Sequence, residues 1–254
     1  MVTDVTEVTD VERLRIRKRP SERPVIREIW RHLGFLHWPV AVGAIARLLP
    51  PGLEVDTFDG VAYVGIVPFT IPLTRTAFFP GLPLAPAFHE INLRTYVHRA
   101  GRDPGVWFFS LDAASRLAVA GARAAYRLPY FHARIRMGEG VANGEKQIDF
   151  EARRSSAAVD AHFACRYGPT GEGAPAVHGS LEFFLAERYL LYAWTGRKLR
   201  SARVFHHPYP LQPAAVADLD ETLTTAAGLP IEKSAPAFVH YAHEVDVQIY
   251  RPHR

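Results

Sequence analysis

The stretch FHEINLRTYVH, residues 88–98, has the two-residue periodicity of a β-strand with two unlike faces. One face is apolar and consists of Ile91, Leu93 and Val97, with Thr95 among them. The other is polar and consists of Glu90, Asn92, Arg94, Tyr96 and His98. The central question for function is whether this polar face meets bulk water or lines a cavity.

The rest of the chain reads mainly as strands joined by turns. Asp59-Gly60 predicts a hairpin between LEVDTF and VAYVGIVPF, and AGRDPG predicts a second hairpin after residue 98. Three alternating segments follow residue 130. A helix is expected over 113–128, with Asp112 as N-cap, and a shorter one begins at Ser180. The proline-rich stretch 70–87 predicts a long loop of the kind used as a lid or binding loop.

This organisation predicts a mainly β (β-rich α+β) protein with about ten to twelve strands and a few short helices. Because strands follow strands across hairpins, a doubly wound sheet is excluded, and a closed barrel and two packed antiparallel sheets remain open. We expect residues 1–22 to be disordered or a loosely docked arm. Residues 23–254 should form a single domain, since no repeat or linker divides them.

Composition limits the classes of partner. The 254 residues are 48% hydrophobic and 22% charged, as in soluble globular proteins. A single cysteine, Cys165, excludes an intrachain disulfide. No secretory signal or membrane-length apolar run is found, so we expect a cytoplasmic protein without membrane contact. The net charge is +4, but apart from the basic run RLRIRKRP (13–20) in the N-terminal arm the arginines are scattered, and no nucleic-acid-binding motif appears. We therefore expect no nucleic-acid partner, and a homo-oligomer remains open.

Motifs for several common chemistries are missing. The twelve histidines include no H-E-x-x-H pattern, and a metal site is not expected. His206 and His207 are adjacent, which on a strand sends them to opposite faces. There is no G-x-S-x-G elbow and no phosphate-binding glycine loop. We expect no cofactor.

Two strands have polar faces of the same kind. Residues 88–98 are one, and residues 130–137 place Tyr130 and His132, with Arg134 and Arg136, on one side. The simplest interpretation is a half-buried sheet with these faces in water. However, solvated faces usually carry Lys, Glu, Ser and Thr. Arg, Asn, His and Tyr next to apolar segments are more typical of a ligand cavity.

A series of motifs resembles the YqjF-like family, which is grouped with the acetoacetate decarboxylase-like superfamily. The resemblance runs from about Trp30 to Tyr250, and its motifs are FLHWPV, LLPPGLEVDTFDG, FHEINLRTYV, FFSLDAASRLAVAGAR, YRLPYFHAR, SLEFFLAERY and HHPYPLQPA. It implies a large antiparallel β-barrel-like domain that encloses a cavity. It also implies that Glu90 matches the barrel glutamate of the decarboxylases and faces inward.

The resemblance lacks the lysines of acetoacetate decarboxylases, which form a Schiff base with the keto acid. At the two similar positions, after Pro129, this chain has Tyr130 and Phe131. The lysines of the chain lie in tail, turn or loop contexts; they are Lys18, Lys146, Lys198 and Lys233. Schiff-base decarboxylation is therefore not expected.

Three functional hypotheses follow. The first is a barrel that binds a small, partly apolar molecule bearing a carbonyl or carboxylate group. Its predicted ligand-binding residues are Glu90, Asn92, Arg94, Tyr96, Tyr130, His132, Trp38, Trp107 and Phe109. The second is a non-covalent lyase, isomerase or hydrolase acting on a small keto or enol compound, with Glu90 or His132 as general acid/base. The third is a scaffold whose interior is filled by side chains.

Overall fold

The computed structural model describes residues 7–77, 83–142, 144–155, 159–229, 231 and 234–253. Their helices are α1 (Asp10–Arg17), α2 (Val42–Ala46), α3 (Arg116–Tyr126), α4 (Leu181–Ala186) and α5 (Leu223–Ala226). Their strands are β1 (Ile26–Val40), β2 (Glu54–Val55), β3 (Ala62–Thr76), β4 (Pro83–Ala85), β5 (Phe88–Arg99), β6 (Arg102–Ala113), β7 (Tyr130–Ala142), β8 (Glu145–Arg154), β9 (His162–Pro169), β10 (Leu190–Trp194), β11 (Leu199–His206), β12 (Gln212–Glu221) and β13 (Phe238–Ile249). The prediction of a mainly β fold with a few short helices is confirmed.

The sheet closes on itself through part of its strands. In order, β1, β3, β5, β6, β10, β11 and β13 pair with their neighbours, and β13 pairs back to β1. The strands β7, β8, β9 and β12 form a second layer that leaves this ring at β6 and rejoins it at β13. Most pairings are antiparallel, but β6 runs parallel to both β7 and β10.

This arrangement buries both faces of β5. Its apolar residues Ile91 and Leu93 pack in a core with side chains of β8 and β9, such as Phe150 and Phe163. Its polar residues point into the ring, where the exposed fractions are 3% for Glu90, 6% for Asn92 and 8% for Arg94. The polar face of residues 90–98 therefore does not meet bulk water.

The turn predicted at Asp59-Gly60 is present, but the two strands that it joins do not pair with each other. Phe58 and Val61 exchange backbone hydrogen bonds of 3.0 and 2.9 Å, and both turn residues have positive φ, as in a primed turn. However, β2 pairs with β5 instead of β3. β3 already pairs with β1 and β5, and β2 pairs with Val97 and His98 of β5, beyond the end of the β3 pairing at Thr95.

The predicted loop over residues 70–87 includes residues that belong to the strands β3 and β4. β3 continues to Thr76 and pairs with β1 as far as Ile26. Pro72 fits within this strand because the register with β1 shifts there, which is the bulge-like setting in which proline is tolerated. Residues 78–82 lie outside the described part of the chain.

The start of α3 differs from the prediction as well. Ser115 is its N-cap, and its hydroxyl accepts a hydrogen bond from the backbone N–H of Ala118. The side chain of Asp112 instead forms a buried two-point ion pair with Arg154, at 2.7 and 2.9 Å. A charged partner outweighs a capping role here because a buried carboxylate without a counter-charge is costly.

The segment for which we expected disorder or loose docking contains α1. Thr9 caps this helix, and Ile16 packs into the barrel with 4% of its surface exposed. Arg13 reaches from α1 to the buried Asp56. Among the described residues, no helix has the length and apolar character needed to cross a membrane.

Candidate functional site

A cavity of about 350 Å³ lies inside the ring of strands. Most of its wall is apolar, with Phe69, Phe88, Phe108 and Leu111 among the lining residues. The acidic, amide, hydroxyl and guanidinium groups that line it belong to Glu28, Thr74, Glu90, Asn92, Arg94, Tyr126, Tyr130, Arg188 and Tyr209. An apolar cavity with a few polar groups is the usual form of a small-molecule site.

Two of the β5 residues carry polar atoms without partners at one end of the cavity. Arg94 donates from Nη2 to the backbone oxygen of Leu185 at 3.1 Å, but its buried Nε has no partner in the described chain. Its guanidinium lies 5.6 Å from the ring centre of Phe35 and 5.8 Å from that of Tyr96. The buried Oδ1 of Asn92 is also without a hydrogen bond. Leaving such groups unsatisfied is costly, and a hydrogen bond with a water or another bound molecule would remove that cost.

Arg188, which the sequence analysis did not single out, reaches the same end of the cavity from the segment after α4. Its Nε donates to the backbone oxygen of Phe184 and its Nη1 to Asp56, each at 2.7 Å. Its buried Nη2 has no partner in the described residues. Burial lowers the pKa of Arg188 to about 10, so the group stays charged at neutral pH.

Asp56 is shared between two arginines. Arg13 of α1 donates two hydrogen bonds to it at 2.7 and 2.8 Å, and Arg188 donates a third. Burial alone would raise the pKa of this carboxyl, but the attraction of Arg188 and the bonds from Arg13 outweigh burial and hold the pKa below its ordinary value. One carboxylate thus serves two guanidiniums.

Arg94 adds a third positive charge to this region without an acid of its own. Within the described chain, no carboxylate is at ion-pairing distance from its guanidinium. Glu187, the residue before Arg188, binds the Tyr189 hydroxyl and the backbone N–H of Tyr209 instead. This end of the cavity therefore has an excess of buried donors and positive charge.

The other end carries two carboxyl groups. Tyr130 donates to Glu90 at 3.2 Å, while Trp30 and Thr74 donate to Glu28 at 2.8 and 3.2 Å. Burial raises the pKa of Glu90 well above its ordinary value, and the neighbouring Glu28 adds to this. Burial also raises the pKa of Glu28. Burial at this end therefore favours the protonated form of both carboxyl groups.

We expect Glu90→Gln to stabilise the protein at neutral pH. Because the folded-state pKa of Glu90 is raised, folding stability falls as pH rises above the ordinary pKa of 4.5 toward that raised value. Removing the carboxyl removes this loss, so the melting temperatures should be similar near pH 4 and diverge by a few degrees near pH 8. The exposed Glu145→Gln is the control. A variant that is less stable than wild type at pH 8 would contradict the assignment.

Of the predicted ligand-binding residues, the structure brings four into the cavity wall: Glu90, Asn92, Arg94 and Tyr130. Tyr96 lies directly behind this wall and donates to the backbone oxygen of Leu185 at 2.7 Å, next to Arg94. Sequence reasoning missed Glu28 and Arg188, and neither stands in an alternating polar strand of the kind that revealed β5. The binding roles of all these residues stay predictions.

The other predicted residues lie elsewhere. Trp107 and Phe109 point away from the cavity, because their strand neighbours Val106 and Phe108 are the ones that line it. Trp38 belongs to the core on the far side of β5 and donates to the backbone oxygen of Ser234. His132 is partly exposed and bonds to Ser155 at 2.8 Å. β7 pairs with β6 over Tyr130–His132, and His132 is not among the residues that line the cavity.

No lysine is among the residues that line the cavity in the described part of the chain. Lys18 and Lys198 are exposed. Lys146 is partly exposed and pairs with Glu139 at 3.0 Å. Lys233 lies outside the described residues.

The ring of strands and its cavity define an acetoacetate decarboxylase-like fold. A crystal structure of acetoacetate decarboxylase from Legionella pneumophila matches with a TM-score of 0.63 and 13% identity, over 100% of this chain and 98% of the other. The enduracididine biosynthesis enzyme MppR, complexed with the condensation product of pyruvate and imidazole 4-carboxaldehyde, matches with a TM-score of 0.59 and 15% identity, over 91% and 89%. At these identities the match shows the fold alone.

Sequence comparison places the chain more narrowly. It belongs to the DUF2071 family, described as an uncharacterized conserved protein, whose model matches residues 27–246. It is 40% identical over 223 residues to the protein from Bacillus subtilis (strain 168) named "Uncharacterized protein YqjF", covering 88% of this chain and 89% of that one. The predicted membership of the YqjF-like family is confirmed.

Proposed function

We propose that this protein binds a small, partly apolar carboxylate in its central cavity, with Arg94 and Arg188 as the anchors of the negative charge. The observation that carries the proposal is the pair of unpartnered donors, Arg94 Nε and Arg188 Nη2, in the wall of one cavity. A carboxylate would supply two acceptors and the missing counter-charge.

The surroundings of the arginines support a bound anion. Burying a guanidinium without an acid partner is unfavourable. Asp56 pairs with Arg13 and Arg188, and Arg94 has no acid partner among the described residues. In the described chain, the unpartnered Oδ1 of Asn92 adds an acceptor to the same wall, which would orient a hydroxyl group of the ligand.

The proposed ligand class agrees with the molecule bound by a protein of similar fold. MppR is described in complex with pyruvate, a small molecule with a carboxylate and a carbonyl group. We infer the same combination of groups for this chain, with a larger apolar part because of the phenylalanine-rich wall.

We further propose that the cavity does not use imine chemistry. Tyr130 and Phe131 stand at the positions similar to the decarboxylase lysines, and the described lysines lie at or near the surface. Neither a phenol nor a phenyl ring forms an imine with a carbonyl compound.

Paired probes test the binding proposal. Hexanoate and hexanamide have the same apolar part, but only hexanoate carries a charge. We expect hexanoate to raise the melting temperature in a concentration-dependent way and hexanamide to have much less effect. Equal effects of the two probes, or no effect of hexanoate at millimolar concentration, would overturn the role of the arginines.

A second candidate function rests on Glu90, which accepts a hydrogen bond from Tyr130 and has the carboxyl group of Glu28 nearby. A buried carboxylic acid with a raised pKa can act as a general acid on a keto or enol compound held nearby. If this protein is such an enzyme, Glu90→Gln should abolish turnover of a bound keto acid while binding persists. Turnover unchanged in Glu90→Gln would exclude Glu90 as the acid.

A further inference from the structure

We infer that the ligand is an unbranched carboxylic acid whose head binds at Arg94 and Arg188 and whose chain extends to the cavity mouth beneath α3. The inference rests on the proposed function and adds the orientation and the apolar chain. It follows from the order in which polar and apolar groups line the cavity.

The arginine end of the cavity is buried. Arg94 and Arg188 are each 8% exposed, and Tyr209 beside them is 2% exposed. The opposite end carries the exposed apolar side chains Leu84 and Leu117, which are 45% and 61% exposed and both line the same cavity. Exposed leucines at the rim of a cavity suit the entry of an apolar group.

Helix α3 covers the cavity near its mouth. Four of its residues that line the cavity are small, and they are Ala118, Gly121, Ala122 and Ala125. These small side chains leave room for the apolar chain of a ligand. The buried donors without partners in the described chain mark the place where its head would bind.

The length of the cavity is set by β5. Arg94 and Glu90 are four residues apart on this strand, which corresponds to about 13 Å. A ligand that reaches from the arginines to the mouth must therefore pass Glu90 and Glu28. Their carboxyl groups already accept hydrogen bonds from Tyr130, Trp30 and Thr74, so they do not need partners from the ligand where an apolar chain passes them.

The experiment measures binding of butanoate, hexanoate, octanoate and decanoate by calorimetry. We expect affinity to rise about fourfold for each added methylene until the chain reaches α3, as expected for burial of apolar groups. Ala122→Phe places a large side chain in the wall, and we expect it to weaken decanoate binding at least tenfold while butanoate binding is unchanged. Ala124→Phe is the control, because Ala124 is exposed on the same helix and does not line the cavity.

The outcomes separate the two proposals. If no carboxylate of any length binds, the proposed function fails. If butanoate binds but longer acids bind no better, or if both phenylalanine variants behave alike, only the inferred chain is wrong. If Ala122→Phe does not fold, Ala122→Leu and Ala124→Leu repeat the comparison with a smaller side chain.

Discussion

Arg94→Met is expected to lower the affinity for a carboxylate ligand at least about 100-fold, which is within the range for removing one partner of a buried charged pair. Methionine keeps much of the length of the side chain but has no donor and no charge. The backbone oxygen of Leu185 loses the bond from Arg94 but keeps the one from the Tyr96 hydroxyl. Titration calorimetry with hexanoate measures the effect.

The stability of the empty Arg94→Met variant distinguishes binding from folding. Because the wild-type guanidinium is buried and has no acid partner among the residues that the structure describes, replacing it by an apolar side chain should leave the melting temperature unchanged or raise it. Arg99→Met, an exposed position on the same strand, is the control. Hexanoate binding that is equally tight in Arg94→Met and wild type would remove the main support for the site.

Asp56→Asn is expected to lower the free energy of unfolding by about 3 kcal/mol, because it leaves the guanidiniums of Arg13 and Arg188 without their shared counter-charge. The change should also loosen α1, since Arg13 connects this helix to the barrel. Chemical denaturation gives the loss of stability, and faster proteolysis within residues 7–22 would report the loosening. Asp59→Asn, in the exposed turn three residues later, should have little effect.

The pH dependence gives the same prediction an independent test. The folded-state pKa of Asp56 is lowered, so its stabilising effect is fully present above the ordinary carboxyl pKa of about 4. The effect is lost as pH falls through the lowered folded-state value. The stabilities of wild type and Asp56→Asn should therefore converge in acid. A constant difference from pH 7 to pH 2 would show that the loss has another cause.

The fold could be predicted because the alternation of apolar and polar residues within each segment indicates a strand without information from the rest of the chain. The inward direction of Glu90, Asn92 and Arg94 was predictable for the same reason: residue types that hydrogen-bond in fixed geometry occupy one face of β5. The alternation alone did not exclude a solvated face. Burial of the other face of β5 against β8 and β9 is a long-range property, and no local pattern in residues 88–98 encodes it.

The cavity wall was harder to predict. The stretch VWFFSLD, residues 106–112, is apolar at most positions, so its sequence does not show which side chains face the cavity. We predicted Trp107 and Phe109 in the cavity wall, but Val106 and Phe108 line it. Arg188 lies in no regular element, and its partner Asp56 is 132 positions away in the chain. Only the folded arrangement places its guanidinium beside Arg94.

The most direct test of the account is a crystal structure of the protein grown with saturating hexanoate. We predict one carboxylate in the central cavity, with its oxygens at hydrogen-bond distance from Arg94 Nε and Arg188 Nη2. A cavity that holds only water, with both donors turned to acidic side chains of the protein, would contradict the account.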